Sequence, residues 1–293
     1  MTERDNRPAA PGTLYWDPSL SVEYVTVNGQ RLRYIRIGLG PDLVLLHTLR
    51  TSLDIFERLI PRLRAGWTIW ALDYPGHGWS DIPDTDYTPD AFVRAVAGFL
   101  AAVDLRHATV AGISIGGTIP LLLAAAHEPR VTKVVSINPY DYAQGLGITR
   151  GNLTARIVIG LSRLPAVGEV VMRLRTRRLE RWVMEGGIAD RATLSAAFLE
   201  QVWQAGQRPG HDRAFLNLLR YASQWEDAHA VYEQIRVPVL VVYGERDWSR
   251  PDERQRTVAA IPGARAETVA GGGHFLSLDQ PARLAALIDD FAR

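Results

Sequence analysis

The stretch Gly112-Ile113-Ser114-Ile115-Gly116 joins two apolar runs of different character. Residues 108–113 are short, apolar and partly β-branched, as a strand buried on both faces would be. Residues 116–126 are apolar all round, as a buried helix would be. A chain that passes from buried strand to buried helix without a loop must turn sharply at Ser114. Glycines two residues to either side leave room for so tight a turn. The serine at its apex sits in a strained backbone with its hydroxyl clear of neighbours. The helix that follows offers unpaired backbone N–H groups to a developing negative charge. Gly-x-Ser-x-Gly alone is a weak signal, and an idle serine in a Gly-rich turn is the bland alternative. Agreement of both flanks makes Ser114 the candidate nucleophile.

Similar runs recur along the chain. Residues 22–27 and 31–37 alternate and meet at Asn28-Gly29, a hairpin signal. Residues 42–47, 67–73, 131–137, 237–243 and 266–269 also read as strands. Phe56, Leu59, Ile60 and Leu63 recur at helical spacing, as do Phe92, Val96, Phe99 and Val103. Leu284, Leu287, Ile288 and Phe291 mark a last helix with Pro281 near its start. The alternation breaks once: residues 141–232 are helical in pattern, with breaks at Pro165, Gly186-Gly187 and Pro209-Gly210. The pattern predicts an α/β fold: a mostly parallel eight-stranded sheet with helices on both faces and a helical lid inserted between the sixth and seventh strands. The expected units are an N-terminal arm over 1–20, a core over 21–140 and 233–293, and a cap over 141–232. Function in such sheets gathers at the carboxyl ends of the strands, so an inserted block would lie over the site.

Composition narrows the function classes. The 293-residue chain has no cysteine, which excludes thiol nucleophiles, disulfides and Cys-based metal sites. A net charge of +1 argues against a general polyanion binder such as a nucleic-acid protein. No apolar run approaches the roughly 18 residues of a membrane span. The polar first residues lack the apolar core of a secretory signal, so a cytoplasmic protein is expected. The seven histidines show no metal-binding spacing, and Gly271-Gly-Gly273 lacks the lysine of a phosphate loop, so neither metal nor cofactor is expected. The expected partner is a small-molecule substrate, and the protein a monomer or homodimer. Arg173-Leu-Arg-Thr-Arg-Arg-Leu-Glu-Arg181 could dock on an anionic surface, though a solvated helix face is the simpler reading.

A serine hydroxyl needs a base to attack at neutral pH. His274 follows a strand and the flexible Gly271–Gly273 run, so its loop can carry an imidazole toward the elbow. Asp247, in the turn after the preceding strand, is the candidate acid that orients it. Asp141, after the sixth strand, is the reserve acid. His47, His77 and Asp73 read as loop-fixing residues, and His107, His127, His211 and His229 as exposed or helix-end residues. Trp182, Trp203, Phe215 and Trp225 read as the interior of the helical block, with one or two free to line a pocket. Trp79 and Phe275 flank the expected site as candidate substrate contacts.

The order Ser114, Asp247, His274, together with the elbow, resembles the α/β-hydrolase fold family from about residue 22 to the C-terminus. Further landmarks fall in register: the loop His47-Thr-Leu-Arg-Thr-Ser52, the loop Asp73-Tyr-Pro-Gly-His-Gly-Trp-Ser-Asp81, and the terminal Gly-Gly-His274-Phe. The resemblance implies a Ser-Asp-His triad and an oxyanion hole from the backbone N–H groups of Ile115 and Leu49. One departure stands out. The family usually has His-Gly where this chain has His47-Thr48, and a β-branched residue resists positive φ. Either the loop does without that conformation or the hole is reshaped. The stretch is loosely similar to the enol-lactone hydrolases, which places Arg50 near the site mouth. There it would clamp a substrate carboxylate or pair with a neighbouring acid. The expected activity is that of a serine hydrolase cleaving a small carboxylic ester or lactone through an acyl-enzyme. Two rivals stand beside it: a carbon–carbon bond hydrolase acting on β-diketone-type ring-cleavage products, and a slow or non-catalytic small-ligand binder.

Overall fold

Each short run of branched aliphatic residues becomes a strand. The computed structural model describes residues 12–293. Its strands are β1 (Glu23–Val27), β2 (Gln30–Ile37), β3 (Asp42–Leu46), β4 (Thr68–Leu72), β5 (Ala108–Ile113), β6 (Val131–Ile137), β7 (Val239–Gly244) and β8 (Arg265–Val269). They form one sheet in the order β1-β2-β4-β3-β5-β6-β7-β8. β2 pairs antiparallel with β1 and β4, and every other pairing is parallel. β4, β5 and β7 are buried along their whole length, as parallel strands covered by helices on both faces must be.

Between β6 and β7 the chain forms no strand. It runs through helices Leu153–Ser162, Val167–Arg173, Arg177–Glu185, Ala196–Gly206 and His211–Arg220. Interruptions fall at Pro165, Gly186-Gly187 and Pro209-Gly210, as the pattern had it, and also at residues 174–176, where Thr176 caps the next helix. One expected helix differs: the Phe56–Leu63 periodicity yields a 3-10 turn, Leu53–Phe56, and a short helix, Ile60–Leu63. Pro61 has no amide hydrogen and is tolerated only in a first helical turn, so the helix begins there. The apolar residues of the pattern are still buried.

Of the expected arm, residues 1–11 lie outside the described residues. Leu14 is buried, Trp16 Nε1 donates to Asp54 Oδ1 at 3.0 Å, and the Tyr15 hydroxyl donates to Glu57. Asp54 also belongs to a buried ionic node. Arg33 Nη1 on β2 donates to Asp54 Oδ2 at 2.9 Å and to Asp73 Oδ2 at 3.2 Å. Asp73 in turn accepts from the Leu53 amide at 2.7 Å and the Trp79 amide at 2.8 Å. One guanidinium thus ties the loops after β3 and β4 to the sheet. Removing one partner of such a node strands the others as buried charges, which costs about 3–5 kcal/mol. Arg33→Met is expected to lower the urea-unfolding free energy by that amount; a loss under about 1 kcal/mol would show that the node does not hold the loops.

Candidate active site

β5 ends at Ile113 and helix Ile115–Ala125 begins at once, leaving Ser114 alone at the turn with φ 63° and ψ −122°. Positive φ at a residue with a β-carbon stores roughly 1–3 kcal/mol of strain, held only where the surroundings enforce it. Here the Ser114 amide donates to Ile137 O at 2.9 Å, and the Gly117 and Thr118 amides donate to Ser114 O at 2.8 and 3.0 Å. A β-carbon on Gly112 would lie 2.0 Å from Gly116 O, and one on Gly116 would lie 2.3 Å from Leu46 O. Both glycines of the motif are therefore needed for close approach of backbones.

His274 and Asp247 come together from separate loops. His274 Nδ1 lies 2.5 Å from Asp247 Oδ1, and both side chains are fully buried. Burial alone would raise the Asp247 carboxyl. The charge and hydrogen bond of His274, with hydrogen bonds from Ser249, outweigh that and hold it below the usual carboxylate range. An ionised Asp247 can only accept, so Nδ1 is the nitrogen that donates to it, and Nε2 is the ring nitrogen not engaged by the carboxylate. Among the described residues, Nε2 of His274 and Oγ of Ser114 are buried polar atoms with no hydrogen-bond partner, and no hydrogen bond joins them to each other. Asn138, just beyond β6, keeps the two loops beside the elbow. Its side chain accepts from the Gly244 amide at 2.8 Å and donates to Gly273 O at 3.1 Å and His274 O at 2.9 Å. The preceding residue, Ile137, accepts the Ser114 amide.

The sequence pattern pointed to Phe275 but did not single out Asn138, nor Trp248 and Tyr140 around the imidazole. Trp248 stacks on His274 with centroids 3.6 Å apart and planes 15° off parallel. Tyr140 and Phe275 meet the same ring edge-on, at 6.1 and 5.6 Å. The available signals were an asparagine at a strand's carboxyl end, a residue type that tolerates the φ of 44° found there, and a tryptophan next to the acid. Asp141, the reserve acid, lies elsewhere: it accepts from Tyr232 and Thr257 and sits 3.6 Å from His229 Nε2. His229 is therefore part-buried in a polar network, and His211 is buried at its helix start; neither is an exposed residue.

The His47 loop resolves its departure from the Gly pattern. Thr48 avoids positive φ, and Arg50 takes it at 58°. The Tyr74 amide donates to His47 Nε2 at 3.2 Å, so His47 Nδ1 is the protonated nitrogen and donates to Thr48 O at 2.7 Å. The Thr51 hydroxyl reaches the same carbonyl at 2.9 Å. The amides of Leu49 and Ile115, both buried, donate no hydrogen bond within the described residues. Burial of free N–H groups is rare, and two such donors are what a developing oxyanion requires.

Leu49, Trp248 and Phe275 also line a cavity closed by the helices after β6, among them through Ile159, Met172 and Phe215. Its volume is about 30 Å³, room for about two water molecules, and its wall is mainly apolar. Arg50 reaches this wall, but its Nη2 lies 2.7 Å from Glu180 Oε1 and its guanidinium stands 4.5 Å above the Phe215 ring. The carboxylate that Arg50 meets thus belongs to the protein. Trp79 does not line the cavity. Its amide is tied to Asp73, and Arg208 lies 5.6 Å over its ring. Of the helical-block aromatics, Trp225 is fully buried against Phe92, while Trp182 is exposed. Gly186 and Gly187 do more than end a helix. Gly186 O accepts from Trp248 Nε1 at 2.7 Å, Gly187 O accepts from the Phe275 amide at 2.9 Å, and a β-carbon on Gly187 would lie 2.6 Å from the Phe275 ring. Among the described residues, no group of three or more His, Cys, Asp or Glu side chains is placed to hold a metal ion, and no helix is long and apolar enough to cross a membrane.

Comparison with known proteins places these features in context. Residues 41–281 match the family model described as the alpha/beta hydrolase fold. The chain is 26% identical over 264 residues to 2-hydroxymuconate semialdehyde hydrolase of Pseudomonas sp. (strain CF600), covering 87% of each protein. It is 27% identical over 270 residues to pimeloyl-[acyl-carrier protein] methyl ester esterase of Neisseria meningitidis serogroup A, covering 86% of this chain and 78% of that one. In fold it is similar to the haloalkane dehalogenase DbeA of Bradyrhizobium elkani, with a TM-score of 0.79 at 21% identity over 93% of this chain and 98% of that one.

Burial gives the loop histidines a signature in solution. It lowers the imidazoles of His47 and His77 from 6.5 to about 3, and depresses His211 well below 6.5. The unfolded chain therefore binds more protons below pH 6.5, and stability present above that pH is lost as pH falls toward 3. Each histidine contributes up to about 1.4 kcal/mol per pH unit. Urea unfolding at successive pH values should show this slope, and His77→Gln should remove one histidine's share. Equal slopes in variant and parent would refute the assignment.

Proposed function

The chain belongs to the α/β-hydrolase fold family, and on that premise we propose that it is a serine hydrolase cleaving a small carboxylic ester or lactone through an acyl-enzyme. The observation that carries this reading is the pair of buried, unpartnered atoms Ser114 Oγ and His274 Nε2. Ten other buried side-chain atoms also lack a partner among the described residues. Only these two belong to a serine at a strained strand–helix turn and to an imidazole held by a buried carboxylate, which is the pairing a nucleophile and its base need.

In the proposed first step, Ser114 Oγ attacks the carbonyl carbon as its proton passes to His274 Nε2. The carbonyl oxygen becomes an oxyanion held by the Leu49 and Ile115 amides. Loss of one such donor costs about 2.7–4 kcal/mol in related chemistry. The imidazolium returns its proton to the leaving alkoxide, and the C–O bond breaks. Water then attacks the acyl-enzyme, giving its proton to His274, which passes it to Ser114 Oγ as the acid departs. Asp247 holds the imidazole orientation and balances its transient charge, while the Trp248 face favours the cation.

The helices after β6 act as a cap in this reading. At about 30 Å³ the cavity is small for an ester, so in this reading the cap shifts to admit substrate. Arg50, spoken for by Glu180, serves as a latch between the oxyanion loop and the cap. An apolar wall with a matched charge favours a neutral acyl group over a carboxylate-bearing one.

Ser114→Ala is expected to reduce turnover of a short p-nitrophenyl ester by about 10⁴-fold or more with unchanged thermal unfolding. Asp247→Asn should lower kcat by a comparable factor. Ester turnover that survives Ser114→Ala would end the proposal. The similarity to a protein named as a semialdehyde hydrolase supports a second reading on the same residues, hydrolysis of a carbon–carbon bond in a β-diketone-type ring-cleavage product. The two separate by substrate: a vinylogous diketone and an ester of equal size compared on one preparation. Activity confined to the diketone would select the second. The slow-binder reading loses its motive, because Thr48 does not carry the positive φ that would have spoiled the loop. Turnover slower than about once an hour across a broad ester panel would restore it.

A further inference from the structure

Soluble proteins scatter their exposed apolar side chains; a contiguous group of them marks an interaction surface. Here the grouping is extreme. The exposed large hydrophobic residues are Leu39, Leu153, Ile157, Leu161, Leu164, Val167, Val170, Leu174 and Trp182. All but Leu39 lie on helices Leu153–Ser162, Val167–Arg173 and Arg177–Glu185 or the turns that join them. The spacing is helical: Leu153, Ile157 and Leu161 follow one face of the first helix. Each helix turns another face inward, through Ile159, Met172 and Met184, toward the one cavity beside His274. The exposed apolar residues therefore share the outer side of the same layer.

Charge on this outer side is predominantly positive. Arg156, Arg163, Arg173, Arg177, Arg178 and Arg181 are exposed. Within 153–182 the acids are only Glu169, paired with Arg220, and Glu180, buried against Arg50. Arg177 and Arg181 pair with Glu200 and Glu185, whereas Arg156, Arg163, Arg173 and Arg178 form no ion pair among the described residues. Arg178 lies 4.5 Å over the half-exposed Trp182 ring.

We propose that this face of the three helices docks on the surface of an anionic phospholipid bilayer, with the aliphatic side chains entering the acyl boundary and the arginines meeting lipid phosphates. Apolar residues flanked by unmatched cations, with a tryptophan among them, are the chemistry of an interfacial surface. A second copy of this chain is a poorer occupant, because a two-fold interface would set one arginine cluster against its own image. The docking stands independently of the hydrolase reading, since it involves neither Ser114 nor His274. Its consequence for the site is geometric: the docked helices are those that close the cavity, so a molecule leaving the lipid would meet the cap first.

The test is co-sedimentation of the full chain with vesicles of phosphatidylcholine alone or of equal parts phosphatidylcholine and phosphatidylglycerol. The expected result is pelleting with the mixed vesicles and little with the neutral ones, weakened by salt. Arg173→Gln with Arg178→Gln should weaken partitioning about 25-fold, at roughly fivefold for each cation. Ile157→Ser with Leu174→Ser should abolish detectable pelleting. Both pairs are exposed, and circular dichroism melting will confirm that each variant folds. No pelleting with mixed vesicles, or pelleting undiminished in both variants, would overturn the proposal. So would a dimer in sedimentation velocity that Ile157→Ser with Leu174→Ser abolishes, since the face would then belong to a second copy.

Discussion

The structure depends on one backbone conformation, the left-handed φ of 63° at Ser114. It lets a fully buried strand hand over to a fully buried helix without a connecting loop. That handover is possible only because backbones touch where side chains would ordinarily separate them. Gly112 and Gly116 approach each other, Gly116 lies against the end of β3, and a β-carbon on Gly117 would lie 2.8 Å from Ile137 O on β6. The helix is thus wedged between the two strands that flank β5. The serine's position is determined by main-chain hydrogen bonds rather than by contacts of its own side chain. That leaves the hydroxyl unconstrained, a condition side-chain anchoring could not meet.

The imidazole opposite is held by other means. His274 itself has no positive φ; three aromatic rings, one carboxylate and one asparagine position it. Each restrains a different freedom. Asp247 sets the ring's tautomer, Trp248 its plane, and Asn138 the height of its backbone above the sheet. Asn138 also holds Gly244, at the foot of the acid turn, so a single side chain coordinates both loops. Gly244 and Gly273 follow the same logic as the elbow: a β-carbon on Gly244 would fall 2.3 Å from Gly273 O, and one on Gly273 would fall 2.8 Å from Gly187 O and Ala189 N. Close approach, rather than flexibility, is the stronger reason for glycine here.

Most of the sheet was legible in the chain because a parallel strand buried on both faces leaves a local signature, a short unbroken apolar run. Ser114 stood out for a related reason, since it sits immediately beyond such a run, while Asp247 and His274 were candidates from their place in the loops that follow β7 and β8. What was not legible involves partners distant in sequence. Nothing local to Arg50 says that Glu180 will meet it across 130 positions. The burial of His211, which does start a helix, and the partial burial of His229 were not legible, because they come from elements packed over them. Trp248 was passed over beside its more conspicuous neighbour, although its ring completes the cage. The split of the Phe56–Leu63 helix was readable after all, in Pro61, but periodicity alone outvoted it.

The helices after β6 pose a different physical problem. The outer side of this layer mixes aliphatic side chains with exposed arginines. Many links fasten it to the core, among them Arg50 to Glu180, Asp279 to the Ala189 amide, Arg208 to Gly78 O, Gly186 to Trp248 and Gly187 to Phe275. The last two end on residues beside His274. Displacing this layer therefore cannot leave the imidazole's surroundings unchanged, since moving Gly186 removes the acceptor that holds the Trp248 ring in its stack.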